Sequence, residues 1–170
     1  NNPEKGILFD KENVILDPYA RAVTGQRHWG ERPKDGKDFV YHARVVKSEF
    51  DWGEVGQLDT PIEDLVIYET HVRGYTKDSS SKVDAKGTFQ GIREKIPYLK
   101  DLGVNAVELM PIFEFDEMES ARVVDGVQLY NYWGYNTVSF FAPNTGYSSK
   151  EEHNVEGKEL KRLIYDLKKN

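Results

Sequence analysis

The sequence predicts an α/β protein, and three features carry that prediction. Residues 65–72 (LVIYETHV) form a mostly apolar, β-branched run. Apolar residues then recur every three or four positions from Phe89 to Leu102, and a second apolar run, Val104 to Met110, is halted by Pro111. Strand, helix and strand in that order, with about 31 residues between the strands, make a βαβ unit, because parallel strands need a crossover connection.

The first run is mostly apolar and β-branched, as in a strand covered on both faces, and it ends at Gly74. A polar loop, Lys77 to Lys86, leads to the helix. There Phe89, Ile92, Ile96, Leu99 and Leu102 share one face, Thr88 is placed to cap the start, and Gly103 marks the stop. Pro97 falls inside this pattern and predicts a kink or a division, since it lacks the amide hydrogen that a helix interior uses. A long loop is expected from Ile112 to about His153. Leu160, Leu163, Ile164 and Leu167 then fall at i, i+3, i+4 and i+7, the stripe of an amphipathic helix, with Lys161, Arg162, Lys168 and Lys169 on its polar side. Two parallel strands cannot cover such helices, so the pattern reads as the front of a larger β/α protein.

Residues 1 to about 60 differ. Ile7 to Phe9, Val14 to Leu16 and Phe39 to Val46 are short apolar pieces separated by Asp17-Pro18, Gly25, Gly30, Arg32-Pro33 and Lys34-Asp35-Gly36. That punctuation predicts loops with short extended segments. Ser48 to Pro61 reads as a connector.

Composition narrows the function. The chain has 170 residues, with 23 Lys and Arg against 29 Asp and Glu, a net charge of −6. The absence of cysteine excludes disulfide scaffolds, thiolate metal sites and cysteine nucleophiles. The acidic balance argues against a nucleic-acid partner. No apolar run approaches the roughly 20 residues that cross a bilayer, so no membrane association is expected. A soluble chain in the cytoplasm is the resulting expectation. His28, His42, His71 and His153 show no metal-ligand spacing, and neither a phosphate loop nor a nucleophile elbow is present. No cofactor is called for.

The most informative segment is NYWGYNT (131–137), running into Val138-Ser139-Phe140-Phe141-Ala142-Pro143. Aromatic faces in a loop near the surface suit the C–H faces of a sugar ring, with Tyr hydroxyls finding polar partners at the rim. A small satellite core under the loop accounts for the same residues equally well. Glu69 and Glu108 lie in neighbouring strands but mid-strand, and structural carboxylates satisfied by Arg73 or by backbone amides are the favoured reading. Asp116, Glu117 and Glu119 follow the second strand and read as a solvated acidic loop. His71, at the end of the first strand, reads as a hydrogen-bonded core histidine.

NYWGYNT followed by FFAP resembles the loop after the second barrel strand of glycoside hydrolase family 13, the α-amylase family, and is most similar to its glycogen debranching and isoamylase members. ILDPYARAV (15–23), DLVIYETHVRGYT (64–76), GTFQGIREKIPYLKDLGVNAVELMPIFEFDE (87–117) and KELKRLIYDLKKN (158–170) stand in the family's order. The resemblance implies a partial (β/α)8 TIM barrel, with its first two β/α units in residues 63–170. Residues 1–62 would link it to an N-terminal β-sandwich module. It also implies that Tyr135 stacks on the sugar beside the scissile bond, with Trp133 and Asn136 shaping the same pocket.

The family's catalytic Asp, Glu and Asp follow strands four, five and seven, so no catalytic residue is expected within this chain. A whole barrel takes roughly 250 residues. The function implied is that of a fragment of an α-1,6-glucan debranching hydrolase working by a retaining two-carboxylate mechanism. Its partners would be α-glucans such as glycogen, amylopectin and maltooligosaccharides. The related branching transferases share the Trp-Gly-Tyr loop but continue differently from Asn136-Thr137 and Phe140 to Pro143. A glucan-binding module that self-associates through exposed barrel edges is the remaining alternative.

Overall fold

The computed structural model describes residues 2–7, 12, 14–31, 40–47 and 49–170. Leu8, Phe9, residues 32–36, Phe39 and Ser48, all part of the segmentation above, lie outside the described residues.

Strand β1 (Ile67–Thr70) pairs in parallel with β2 (Ala106–Leu109), in the register Ile67 to Ala106 and Thr70 to Leu109. The expected βαβ unit is therefore present. The first strand is shorter than its apolar run, however. His71 ends it by capping a helix, α1 (Val72–Lys77): its side chain accepts from the backbone N–H groups of Arg73 and Gly74. Val72 is consequently a buried helix residue, 1% exposed, and the expected loop begins only at Asp78.

The crossover is divided where Pro97 predicts. Helices α2 (Phe89–Glu94) and α3 (Ile96–Asp101) meet at Lys95, and Pro97 occupies the first turn of α3, where its missing amide hydrogen is not needed. Thr88 Oγ1 caps α2 by accepting from Gly91 N–H at 3.1 Å. Gly103, at φ +86°, closes α3: its N–H reaches the Lys100 carbonyl and that of Val104 reaches the Leu99 carbonyl, the paired bonds of a Schellman motif. Phe89, Ile92, Ile96 and Leu99 are buried as the spacing predicts, whereas Leu102 is exposed.

The segment from Ile112 to His153 is structured, contrary to expectation. Strands β3 (Phe113–Phe115) and β6 (Thr137–Pro143) pair antiparallel, and β4 (Arg122–Val124) and β5 (Val127–Leu129) form a separate hairpin. The β3–β6 register shifts on both sides of Glu114. Extra residues in β6 break its two-residue alternation, so Phe140 and Phe141 are both exposed between buried Ser139 and Ala142. A short 3₁₀ turn, Thr145–Tyr147, follows.

Helix α4 (Val155–Lys169) begins three residues before the KELKRLIYDLKKN segment and presents the predicted stripe. Leu163 is fully buried, with Leu160 and Leu167 packed beside it. Arg93 of α2 donates through Nε and Nη2 to Asp166 of α4 at 2.7 and 2.6 Å, tying the crossover to the last helix.

The main core joins Val72, Phe89, Ile92, Ile96, Phe115, Tyr147 and Leu163. Each such side chain contributes roughly 1.5–3 kcal/mol by leaving water. Among the described residues, the N-terminal stretch carries isolated bridges (Val23 with Ala43, Asn2 with Ile7) and no longer strand. It nevertheless supplies Trp29 to the main core, and Ala20 and Val23 to a second cluster around Ala142.

Candidate functional site

The site grows from the turn at Gly134. This residue has φ +79°, and a Cβ there would overlap the fully buried ring of Phe115. Only glycine lets the chain cross that ring so closely. On either side of it Trp133 and Tyr135 point outward, 53% and 70% exposed. Tyr132 points inward and lies face to face on His71, 4.1 Å between ring centroids and 11° between planes. The segment thus combines the two readings open from its sequence: one ring joins the packing and two stand in solvent.

Below the loop the rings continue inward. Trp29 stacks on Tyr147 and meets Phe115, Tyr132 and His71 edge-on. The Arg73 guanidinium lies 4.6 Å from the centre of the Trp29 indole, a cation–π contact. Arg73 thus serves Trp29, and Glu69 and Glu108 stand side by side in register on exposed positions of β1 and β2. Neither Trp29 nor Tyr147 stands out in the sequence, because their partners lie far along the chain.

The acidic residues after β3 are not a solvated loop. Glu117 is fully buried and accepts from Asn144 Nδ2 at 3.1 Å. Burial pushes its pKa up to about 7, opposed by that hydrogen bond and by Arg73. Glu114 is also fully buried and accepts from the backbone N–H and hydroxyl of Thr145 at 2.7 and 3.2 Å; burial holds it well above the carboxylate range. Asp116 accepts from Gln26 Nε2 at 2.6 Å. Glu119 takes both contacts of the Asn136 amide, 2.7 Å to each oxygen, so Asn136 anchors the end of the aromatic loop.

The arrangement is a rigid platform. Two exposed aromatic faces are held by a glycine-dependent turn over a packed ring cluster. Glu114 and Glu117 lie below it with no exposed surface, and they reach Thr145 and Asn144, not solvent.

Residues 68–163 match the family described as alpha amylase, catalytic domain, over more than half of the chain. The chain belongs to the alpha-amylase family. It is 41% identical to isoamylase 1, chloroplastic, of Arabidopsis thaliana over 99% of this chain and 22% of that protein. It is 31% identical to the glycogen operon protein GlgX homolog of Mycobacterium tuberculosis over 98% of this chain and 25% of that one. Among solved structures, it superposes on pullulanase type I from Bacillus subtilis complexed with maltose with a TM-score of 0.66 at 28% identity, covering 89% of this chain and 21% of the pullulanase. A pullulanase from Anoxybacillus complexed with maltotriose gives 0.67 at 26% identity, covering 91% and 22%. This alpha-amylase family chain therefore spans about a fifth to a quarter of the length of those relatives. No helix among the described residues is long and apolar enough to cross a membrane.

Proposed function

We propose that residues 63–170 form the opening of the catalytic (β/α)8 barrel of an α-1,6-glucan debranching hydrolase, with residues 1–62 leading in from a preceding module. The observation that carries this reading is the pair of exposed rings, Trp133 and Tyr135, fixed on either side of Gly134. Tyr135 stacks on a glucosyl ring next to the linkage to be cut, Trp133 widens the platform, and Asn136 holds its edge through Glu119. The isoamylase and pullulanase names of the relatives, and the maltose and maltotriose in two of the solved structures, support a branched α-glucan as substrate.

Hydrolysis with retention uses two carboxylates about 5–5.5 Å apart on a substrate-accessible wall. Glu114 and Glu117 do not meet that requirement, since both are fully buried. The proton donor and the nucleophile belong to later strands of the barrel, and this chain contributes binding without chemistry. Val66 and Ile67 at the sheet, with Leu102 after α3, are about half exposed; an apolar surface of this kind favours self-association of the isolated chain.

The test is a titration of the purified chain with maltotetraose, followed by tryptophan fluorescence, beside a reducing-end assay on pullulan. Binding that weakens about tenfold on Tyr135→Ala, with no reducing ends released, is the expected outcome. Unchanged affinity in that variant refutes the stacking role, and release of reducing ends refutes the division of labour.

A further inference from the structure

His71 occupies a helix N-cap, a position where Ser, Thr, Asp and Asn are the usual choices. Its contacts explain why an imidazole stands there. Nδ1 faces two donors, the backbone N–H groups of Arg73 at 3.1 Å and Gly74 at 3.0 Å. It must therefore be bare. In the neutral ring the proton then sits on Nε2, which donates to the Tyr132 carbonyl at 2.8 Å, with the Tyr147 hydroxyl 3.2 Å away. Burial and the neighbouring Arg73 both favour that neutral ring. The flat face of the ring carries Tyr132, and the indole of Trp133 meets its edge at 6.0 Å.

Asn also carries an acceptor and a donor, but both sit on one small amide group. The imidazole sets them on opposite sides of an aromatic ring, so that the cap, the Tyr132 carbonyl and the stacked Tyr132 ring are all reached at once. We infer that His71 is a positioning residue for the platform: it clamps the backbone at Tyr132 so that Trp133 and Tyr135 are presented to a glucan chain. The inference rests on the glucan reading above for its ligand, and on the contacts of His71 for its mechanism. The clamp ties the end of β1 to a loop that follows β5. Gly74 takes part, since a Cβ there would overlap the Tyr132 hydroxyl.

Two substitutions separate capping from clamping. In His71→Asn, the amide oxygen takes the place of Nδ1 and preserves the cap, while the donor to Tyr132 is lost. In His71→Gln, the amide nitrogen takes the place of Nε2 and preserves the donor, while the cap is lost. Affinity for maltotetraose is expected to fall about tenfold in His71→Asn and to stay within about threefold in His71→Gln, although the second variant melts at the lower temperature. The opposite order of affinities overturns the inference and leaves His71 a cap alone.

Hydrogen exchange of the Asn131 amide, which donates to the Glu117 carbonyl at 2.9 Å beside Tyr132, provides a readout that needs no sugar. It should accelerate in His71→Asn and remain slow in His71→Gln, and equal protection in the two variants again overturns the clamp. If the unsubstituted chain fails to bind maltotetraose while the exchange order holds, the glucan reading falls and the clamp stands.

Discussion

Trp29 lies flat on Tyr147, 5.6 Å between ring centroids and 12° between planes. That contact fastens the N-terminal stretch to the 3₁₀ turn after β6 and, through it, to the main core. Tyr147 is fully buried among Phe89, Phe115 and Leu163, so the indole acts as a cover on the main core. The Arg73 guanidinium also lies over the indole, 4.6 Å from its centre.

Trp29→Ala removes that cover and exposes Tyr147 and Phe115. A loss of about 3 kcal/mol is expected, the scale of large-to-small changes at a well-packed aromatic site. Urea unfolding followed by far-UV circular dichroism measures it. A change below about 0.5 kcal/mol, the range of ordinary surface substitutions, would mean that the indole adds nothing to the core.

Gly134→Ala combines two penalties, a left-handed backbone and a Cβ directed into the Phe115 ring. The expected cost is about 2 kcal/mol or more, with maltotetraose affinity falling because the flanking rings are displaced. Gly126 provides the control. It has the same φ of +79° but nothing within 4 Å of its would-be Cβ, so Gly126→Ala should cost about 1 kcal/mol and leave the affinity alone.

Glu117 gives the stability a direction in pH. Its carboxyl is held at about 7 in the folded chain, against an ordinary value of 4.5. Between those values the folded state binds more protons than the unfolded one. The contribution of Glu117 to folding is thus fully present below about pH 4.5 and is lost as pH rises through 7. Glu117→Gln, which is always neutral, should match the parent near pH 4.5 and exceed it at pH 8 by an amount on the order of 1–3 kcal/mol. Glu114 is raised in the same direction, so the slope shrinks in the variant without vanishing. Equal stability of the two proteins at pH 8 would contradict the argument.

Thr88→Ala tests the crossover. The hydroxyl accepts from Gly91 N–H and donates to the Ala85 carbonyl at 2.8 Å, so both ends of a tight turn lose a partner. A loss of about 1 kcal/mol is expected, with Ser at this position recovering most of it. Thermal melting of the three proteins checks the order.

The βαβ unit was legible because its signals are local: a mostly apolar, β-branched run, a stripe at helical spacing, and Pro97 at the division. His71 shows where that reading stops. Nothing in the run LVIYETHV tells a strand from a strand that turns into a capped helix, since Val72 suits either one. The β3–β6 pair was hidden for a different reason. Phe113–Phe115 has only three residues, and two register shifts erase the alternation that identifies its partner. The β4–β5 hairpin does carry a sequence signal, Asp125-Gly126 between valines, with both residues at positive φ. At the site, the outward rings of Trp133 and Tyr135 could be anticipated from their own segment. The burial of Glu117 and the role of Trp29 could not, since both depend on residues distant in sequence, Asn144 and Tyr147.

The β4–β5 hairpin has every strand residue exposed, and a Cβ at Gly126 of its two-residue tip would meet nothing within 4 Å. Its outline is therefore decoupled from the interior, which makes that tip the place to splice in a fluorophore-bearing peptide or an affinity tag beside the aromatic platform while leaving the fold intact.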